Sequence, residues 1–200
     1  MKNIISFFFL WIILFAFVPV QADADNEALY YDCFAYILSN DNTAEVVRYM
    51  SSDRTVTIPD QLDGYSVTSI GDNAFAHCES LEKVSIPENA SSLGRNAFYG
   101  CASLKEVVIP GSVTAIDYGT FRDCISLRKV IISDGITTIG DYAFMWCKSL
   151  AEIIIPESVT TIDFGAFYGC DSLTLTVESG SIAEAYAIQT SIPYRTNIVP

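Results

Sequence analysis

From Leu81 to Leu173 the apolar positions of this 200-residue chain return in the same order every 23 residues. Four near-copies, "LEKVSIP", "LKEVVIP", "LRKVIIS" and "LAEIIIP", open on leucine and then alternate. That alternation, with β-branched residues at the inward places, predicts a short strand with one buried face. Pro87, Pro110 and Pro156 stand where the strand should end, because proline has no amide to give a ladder. A second extended piece follows in "VTAI", "ITTI" and "VTTI", and then a helical or 3₁₀ turn in "GDNAF", "GDYAF" and "DFGAF". Gly71, Gly94 and Gly140 suit the tight corner, and Asp72 and Asp141 suit capping of the turn's free amides.

The same step relates Phe75, Phe98, Phe121, Phe144 and Phe167, and also Cys78, Cys101, Cys124, Cys147 and Cys170. Ile70, Leu93, Ile116, Ile139 and Ile162 keep it too. A unit this short cannot bury its own apolar face, so the copies must stack as a repeat solenoid of short parallel strands. Strands near residues 56, 84, 107, 130, 153 and 175 make six rungs, or about 24 Å of stacked strand. Residues 56–178 form the solenoid on this reading, and its raw ends need lids. Residues 23–55 supply an N-terminal hairpin cap, with Phe34, Tyr36 and Leu38 facing Val47 and Tyr49 across the turn-rich "SNDN". Residues 179–200 supply a C-terminal cap: Ser181 and Glu184 have capping-box spacing and open a short helix that lays Ile182, Ala185 and Tyr186 on the last rung.

These residues carry a family resemblance. The rung Cys-x-x-Leu-x-x-Val-x-Ile-Pro-x-x-Val-x-x-Ile-Gly-x-x-Ala-Phe resembles the 23-residue leucine-rich repeat of BspA-like surface proteins, related to the treponemal type. The likeness covers roughly residues 30 to 195, including entry and closing segments. Ser133 in place of proline, Arg95 and Tyr118 at the Asp position, and the irregular last strand "LTLTV" depart from it. The resemblance implies a non-enzymatic binding module that mediates adhesion to matrix or cell-surface proteins. The alternative is a structural or accessory subunit of a surface complex with no ligand of its own.

Ahead of the repeats, Lys2 precedes an apolar run from Ile4 to Val18, and "VQADADNE" offers cleavage after Ala22 or Ala24. Residues 1–22 therefore read as a signal peptide, which places the product outside the cell or on its surface. The run is shorter than the ~20 apolar residues a spanning helix needs, so no stable membrane insertion is expected. Losing Lys2 takes the formal charge from −13 to −14. Such a surface repels phosphate backbones and argues against nucleic acid as a partner. The oligomeric state is left open.

Candidate chemistry reduces to a few residues. The five equivalent cysteines read as buried wall, since in-register side chains point in parallel, and Cys33 is the odd one out. One thiol per rung does not make a zinc site, and no cofactor is implied. His77, the only histidine, adjoins Cys78, but its place is held by Gly100, Asp123, Trp146 and Gly169 in the other rungs, so no catalytic pair is assigned. Asp117 and Asp163 lie two rungs apart and read as turn-capping or solvated carboxylates.

What remains is surface. On the concave side the outward strand position reads Ser85, Val108, Ile131, Ile154, beside Lys83, Glu106, Lys129 and Glu152. An apolar strip with a charged margin suits a protein partner; strand propensity alone would also put Val and Ile there. A second candidate is the corner with Tyr99, Met145, Trp146 and Tyr168, either an anchor for a partner or a packing shell. Thr68, Ser91, Thr114, Thr137 and Thr160 read as a solvent ladder.

Overall fold

The computed structural model describes residues 28–197; the leader and cleavage site read at residues 1–22 lie outside them. Three strands open the chain: β1 (Leu29–Tyr31), β2 (Phe34–Leu38) and β3 (Ala44–Tyr49). Next come β4 (Thr55–Thr57), β5 (Gln61–Leu62) and β6 (Tyr65–Ile70). Each following unit lays down one strand for each of two sheets. The pairs are β7 (Lys83–Ser85) with β8 (Ser92–Leu93), β9 (Glu106–Ile109) with β10 (Ala115–Ile116), β11 (Lys129–Ile132) with β12 (Thr138–Ile139), and β13 (Glu152–Ile154) with β14 (Thr161–Ile162). The chain closes on β15 (Thr174–Val177), helix α1 (Ile182–Thr190) and β16 (Tyr194–Thr196).

One sheet holds seven parallel strands in the order β16-β15-β13-β11-β9-β7-β4. The other runs β1-β2-β3-β6-β8-β10-β12-β14, with β5 folded back on β6. Stacking is in register: Ile131 lies opposite Val108, and Ile139 lies between Ile116 and Ile162. The chain is thus a leucine-rich solenoid of about seven turns. Between the sheets the five phenylalanines form one column, with neighbouring ring centres 5.0, 5.3, 5.5 and 5.3 Å apart. Each cap ends that column with a tyrosine. Tyr49 stacks on Phe75 at 5.1 Å, and Tyr186 meets Phe167 edge-on at 6.0 Å.

The expected helical turn is present only as separate i→i−3 hydrogen bonds. Ala74 donates to Gly71 O, Ala76 to Asn73 O and Cys78 to Phe75 O, while the amides between them donate to the next rung. Phe75 donates to Ala97 O at 2.7 Å, and Phe121 to Ala143 O at 2.8 Å. Left-handed residues such as Asn73 (φ 59°) and His77 (φ 59°) interrupt the coil and turn those amides outward, which makes a third ladder. Asp72 and Asp141 cap across the rungs as well, accepting from Arg95 N at 2.6 Å and Gly165 N at 3.0 Å. Ser133, in the proline position, donates its amide to Ile109 O at 3.2 Å, a bond proline cannot make.

The caps differ in detail from expectation. A bulge in the β2–β3 pairing sets Val46, not Val47, opposite Tyr36, so Val46 and Tyr49 are the buried pair. Helix α1 starts as read, with the Ser181 side chain accepting from Glu184 N at 3.2 Å, but Glu184 accepts from Gly180 N rather than from the cap itself. It buries Ala183, Tyr186 and Ala187 and leaves Ile182 exposed. The residue that had to land on Phe167 was the tyrosine; Ala183 lies three residues before it on the same face, and Ala187 follows Ala183 by four. Strand β16, which the sequence pattern does not announce, continues the seven-stranded sheet by pairing with β15.

Candidate interaction surfaces

In the seven-stranded sheet the period of two sends Val107, Val130 and Ile153 inward and leaves Val108, Ile131 and Ile154 half-exposed, at 49%, 43% and 58%. Parallel pairing puts these three side by side, with Ser85 before them and Thr176 after. The margin is charged. Lys83 pairs with Glu106 at 2.8 Å, Lys129 stands between Glu106 and Glu152, and Glu152 accepts from the Thr176 hydroxyl at 3.1 Å. Lys83 holds the Glu106 carboxyl below the usual carboxylate range. A shallow depression of about 100 Å³ lies between the strip and this margin, reaching from Lys83 to Ile131.

The corner is assembled differently. The residue before each ladder cysteine is left-handed in every rung: His77, Gly100, Asp123, Trp146 and Gly169. A large side chain there lies over the next rung, and where it does, glycine stands beneath it. A Cβ on Gly100 would fall 2.7 Å from the His77 ring, and one on Gly169 only 2.2 Å from Trp146 Cδ1. Asn96 over Gly119 and Tyr142 over Gly165 follow the same rule. Gly169→Ala is expected to cost about 1–2 kcal/mol. In a Trp146→Ala background the cost should shrink to the conformational part, about 1 kcal/mol. A urea-denaturation double-mutant cycle reads the difference; additivity would mean that the indole does not press on this glycine.

Of the corner residues, Tyr99 is packed between the His77 ring, 4.7 Å away, and the Arg122 guanidinium, 5.5 Å away. Arg122 also lies 5.5 Å from the Trp146 ring. Tyr99 and Trp146 are thus joined through an arginine, whereas Tyr168 stands apart at 61% exposure. Sequence reasoning missed Phe164, at 72% exposure, because it occupies the variable position held by Asp72, Arg95, Tyr118 and Asp141 elsewhere. The signal for the covered positions was the large-residue-then-glycine pair one period apart.

The thiol file is wall. Cys101, Cys124, Cys147 and Cys170 are buried and free, and each donates its S–H to the carbonyl of the preceding rung's phenylalanine at 3.0–3.2 Å. Burial pushes the Cys124 and Cys147 thiols up. Cys33 is free and only partly buried, beside Asp32. His77 and Cys78 diverge, the imidazole onto Tyr99 and the thiol toward Cys101. Asp117 accepts from Tyr118 N at 2.5 Å. Among the described residues no group of three or more His, Cys, Asp or Glu is placed to hold a metal, and no helix is long and apolar enough to cross a membrane.

Six copies of the BspA type leucine rich repeat region match residues 51–191. The chain belongs to this BspA-type family. A leucine rich repeat protein of T. pallidum has 31% identity and a TM-score of 0.71, over 75% of this chain and 71% of that one. One from Bacteroides ovatus has 33% identity and a TM-score of 0.68, over 74% of this chain and 40% of that one. A leucine rich cell surface protein of Faecalibacterium prausnitzii has 29% identity and a TM-score of 0.54, over 77% of this chain and 55% of that one. The BspA-type chain thus spans well under two thirds of the second and third. No curated protein matches it. Leucine-rich repeats serve in general as protein-interaction scaffolds, because stacked rungs offer one extended surface built from equivalent positions.

Proposed function

We propose that this BspA-type repeat protein is a secreted, non-enzymatic module that binds a protein ligand through the outer face of its seven-stranded sheet and so serves adhesion to matrix or cell-surface proteins. The observation that carries this reading is the in-register strip Val108–Ile131–Ile154, about half exposed and bordered by Lys129 and Glu152. Three adjacent β-branched side chains open to water are a cost that a partner would remove. The extracellular setting is supported by the leader read at residues 1–22 and by the F. prausnitzii relative, which is described as a cell surface protein.

Six or seven rungs offer room for about one standard interface of ~800 Å² per partner, so strong adhesion would need several copies or several partners. The joint substitution Val108→Ser, Ile131→Ser and Ile154→Ser is the test, in the chain lacking residues 1–22. Binding to immobilised extracellular-matrix proteins is expected to fall about a hundredfold, at about 1 kcal/mol per half-buried side chain. Unchanged binding with an unchanged unfolding midpoint would take the contact off this strip, and absence of binding by the unsubstituted chain would leave an accessory subunit without its own ligand.

A further inference from the structure

Along the turn corner this chain matches its aromatic faces with its own cations. Arg95 holds its guanidinium 5.0 Å over the ring of Tyr118. Arg122 sits 5.5 Å from the ring centres of both Tyr99 and Trp146, with the Asp123 carboxylate 3.4 Å from its Nε. The chemistry is the same in both: a flat, delocalised cation against the electron-rich face of a ring, in the second case with a carboxylate alongside.

The last two rungs repeat the aromatic and acidic halves without the cation. An open groove of about 510 Å³ lies there, walled by Tyr142, Met145, Phe164 and Tyr168 and edged by Asp141 and Asp163. No basic side chain of the described residues lines it. Its parts are held in place. The Tyr142 ring lies over Gly165, where a Cβ would fall 2.6 Å from the ring, and meets Tyr118 edge-on at 5.5 Å. Asp141 accepts from Gly165 N, and the Tyr186 hydroxyl of the C-terminal helix donates to the Phe164 carbonyl at 3.1 Å. That helix covers the core column and leaves the Phe164 ring bare, and the place from which Arg95 covers Tyr118 of the next rung is held by Asp141 in the rung before Phe164.

We propose that this groove receives a cationic side chain, the guanidinium of an arginine on a partner polypeptide, in the manner that Arg122 is received between Tyr99 and Trp146. Arginine suits it better than lysine, since a planar fork can lie against Phe164 or Tyr168 while bonding to a carboxylate. The charge of the whole chain, −13, draws a basic segment toward it. The site is independent of the apolar strip: the residues lining the groove and those lining the depression beside the strip do not overlap.

The test titrates the whole folded chain with an N-acetylated, C-amidated Gly-Arg-Gly peptide and with its citrulline counterpart, which keeps the shape and loses the charge. The arginine peptide is expected to bind saturably with a Kd of about 1 mM, and the citrulline peptide about tenfold more weakly. The pair Phe164→Ser and Tyr168→Ser should weaken the arginine peptide about tenfold without moving the urea midpoint. Should that pair fail to fold, Asp163→Asn serves, with a weaker Kd and a flatter dependence on salt. The strip variant should bind the peptide normally. Equal binding of the two peptides, no saturation by about 10 mM, or indifference to the groove variants overturns the proposal. Loss of binding in the strip variant alone would move the cation to the sheet face and overturn it too.

Discussion

Phe121→Ala is expected to lower the unfolding free energy by about 3–5 kcal/mol, read by urea denaturation. The ring is fully buried in mid-column, 5.3 Å from Phe98 and 5.5 Å from Phe144, and within 10° of parallel to both. Its amide donates to Ala143 O, its carbonyl accepts the Cys147 thiol, and strands of both sheets run alongside. Rungs tied by three ladders cannot close over the space a ring leaves, so the cavity persists and the loss falls toward the upper end. In a linear array the defect also weakens two rung-to-rung interfaces at once. Phe164→Ala, at the bare end of the corner, should cost under about 0.5 kcal/mol. A loss below about 1 kcal/mol for Phe121→Ala would mean that the stacked column is not what joins the rungs.

Alkali should unfold this protein through its caps. Burial, above all, pushes the Tyr36, Tyr49 and Tyr186 hydroxyls from the ordinary value of 10.0 up to about 12. Tyr36 also donates to Asp63 at 2.6 Å, and Tyr49 to Asp53 at 3.1 Å, and both carboxylates disfavour a phenolate. The folded form therefore keeps these protons more tightly than the unfolded chain. Stability from the three hydroxyls is complete below pH 10 and drains away as pH climbs to about 12. The raised thiols of Cys124 and Cys147 act in the same direction from the ordinary cysteine value of 9.0 upward. Thermal midpoints followed by circular dichroism should fall steadily across that window, and less steeply in Tyr186→Phe. A flat profile from pH 10 to pH 12 would contradict the buried, protonated state of these groups.

Some features could be read before any coordinates because they repeat. The strands, the inward Val and Ile, the phenylalanine column and the buried thiols all follow once copies coil in register, since each residue's neighbours are then its own counterparts one period away. Unrepeated features were read less well. Val46 displaced Val47 through a bulge in a strand pair that occurs once. Ile182 and Ala185 gave way to Ala183 and Ala187 because the helix had to present Tyr186 to Phe167. The turn corner escaped for another reason: left-handed residues at His77 and Trp146 carry no sequence mark apart from the glycine that follows one period later, and left-handed Asp123, followed by Trp146, lacks even that.

Periodicity by itself determined the solenoid and the contents of its interior, because a unit of 23 residues has no way to hide its apolar side except against its own copies. The strand period also put Val108, Ile131 and Ile154 on the outer face, but only the folded arrangement decided what the turn corner presents. Arg122 bridges Tyr99 and Trp146, and Phe164 and Tyr168 stand open at the end. Outer positions vary from rung to rung, so which of them cover one another depends on side-chain reach and backbone handedness, and at the last rung the symmetry that supplies a neighbour stops.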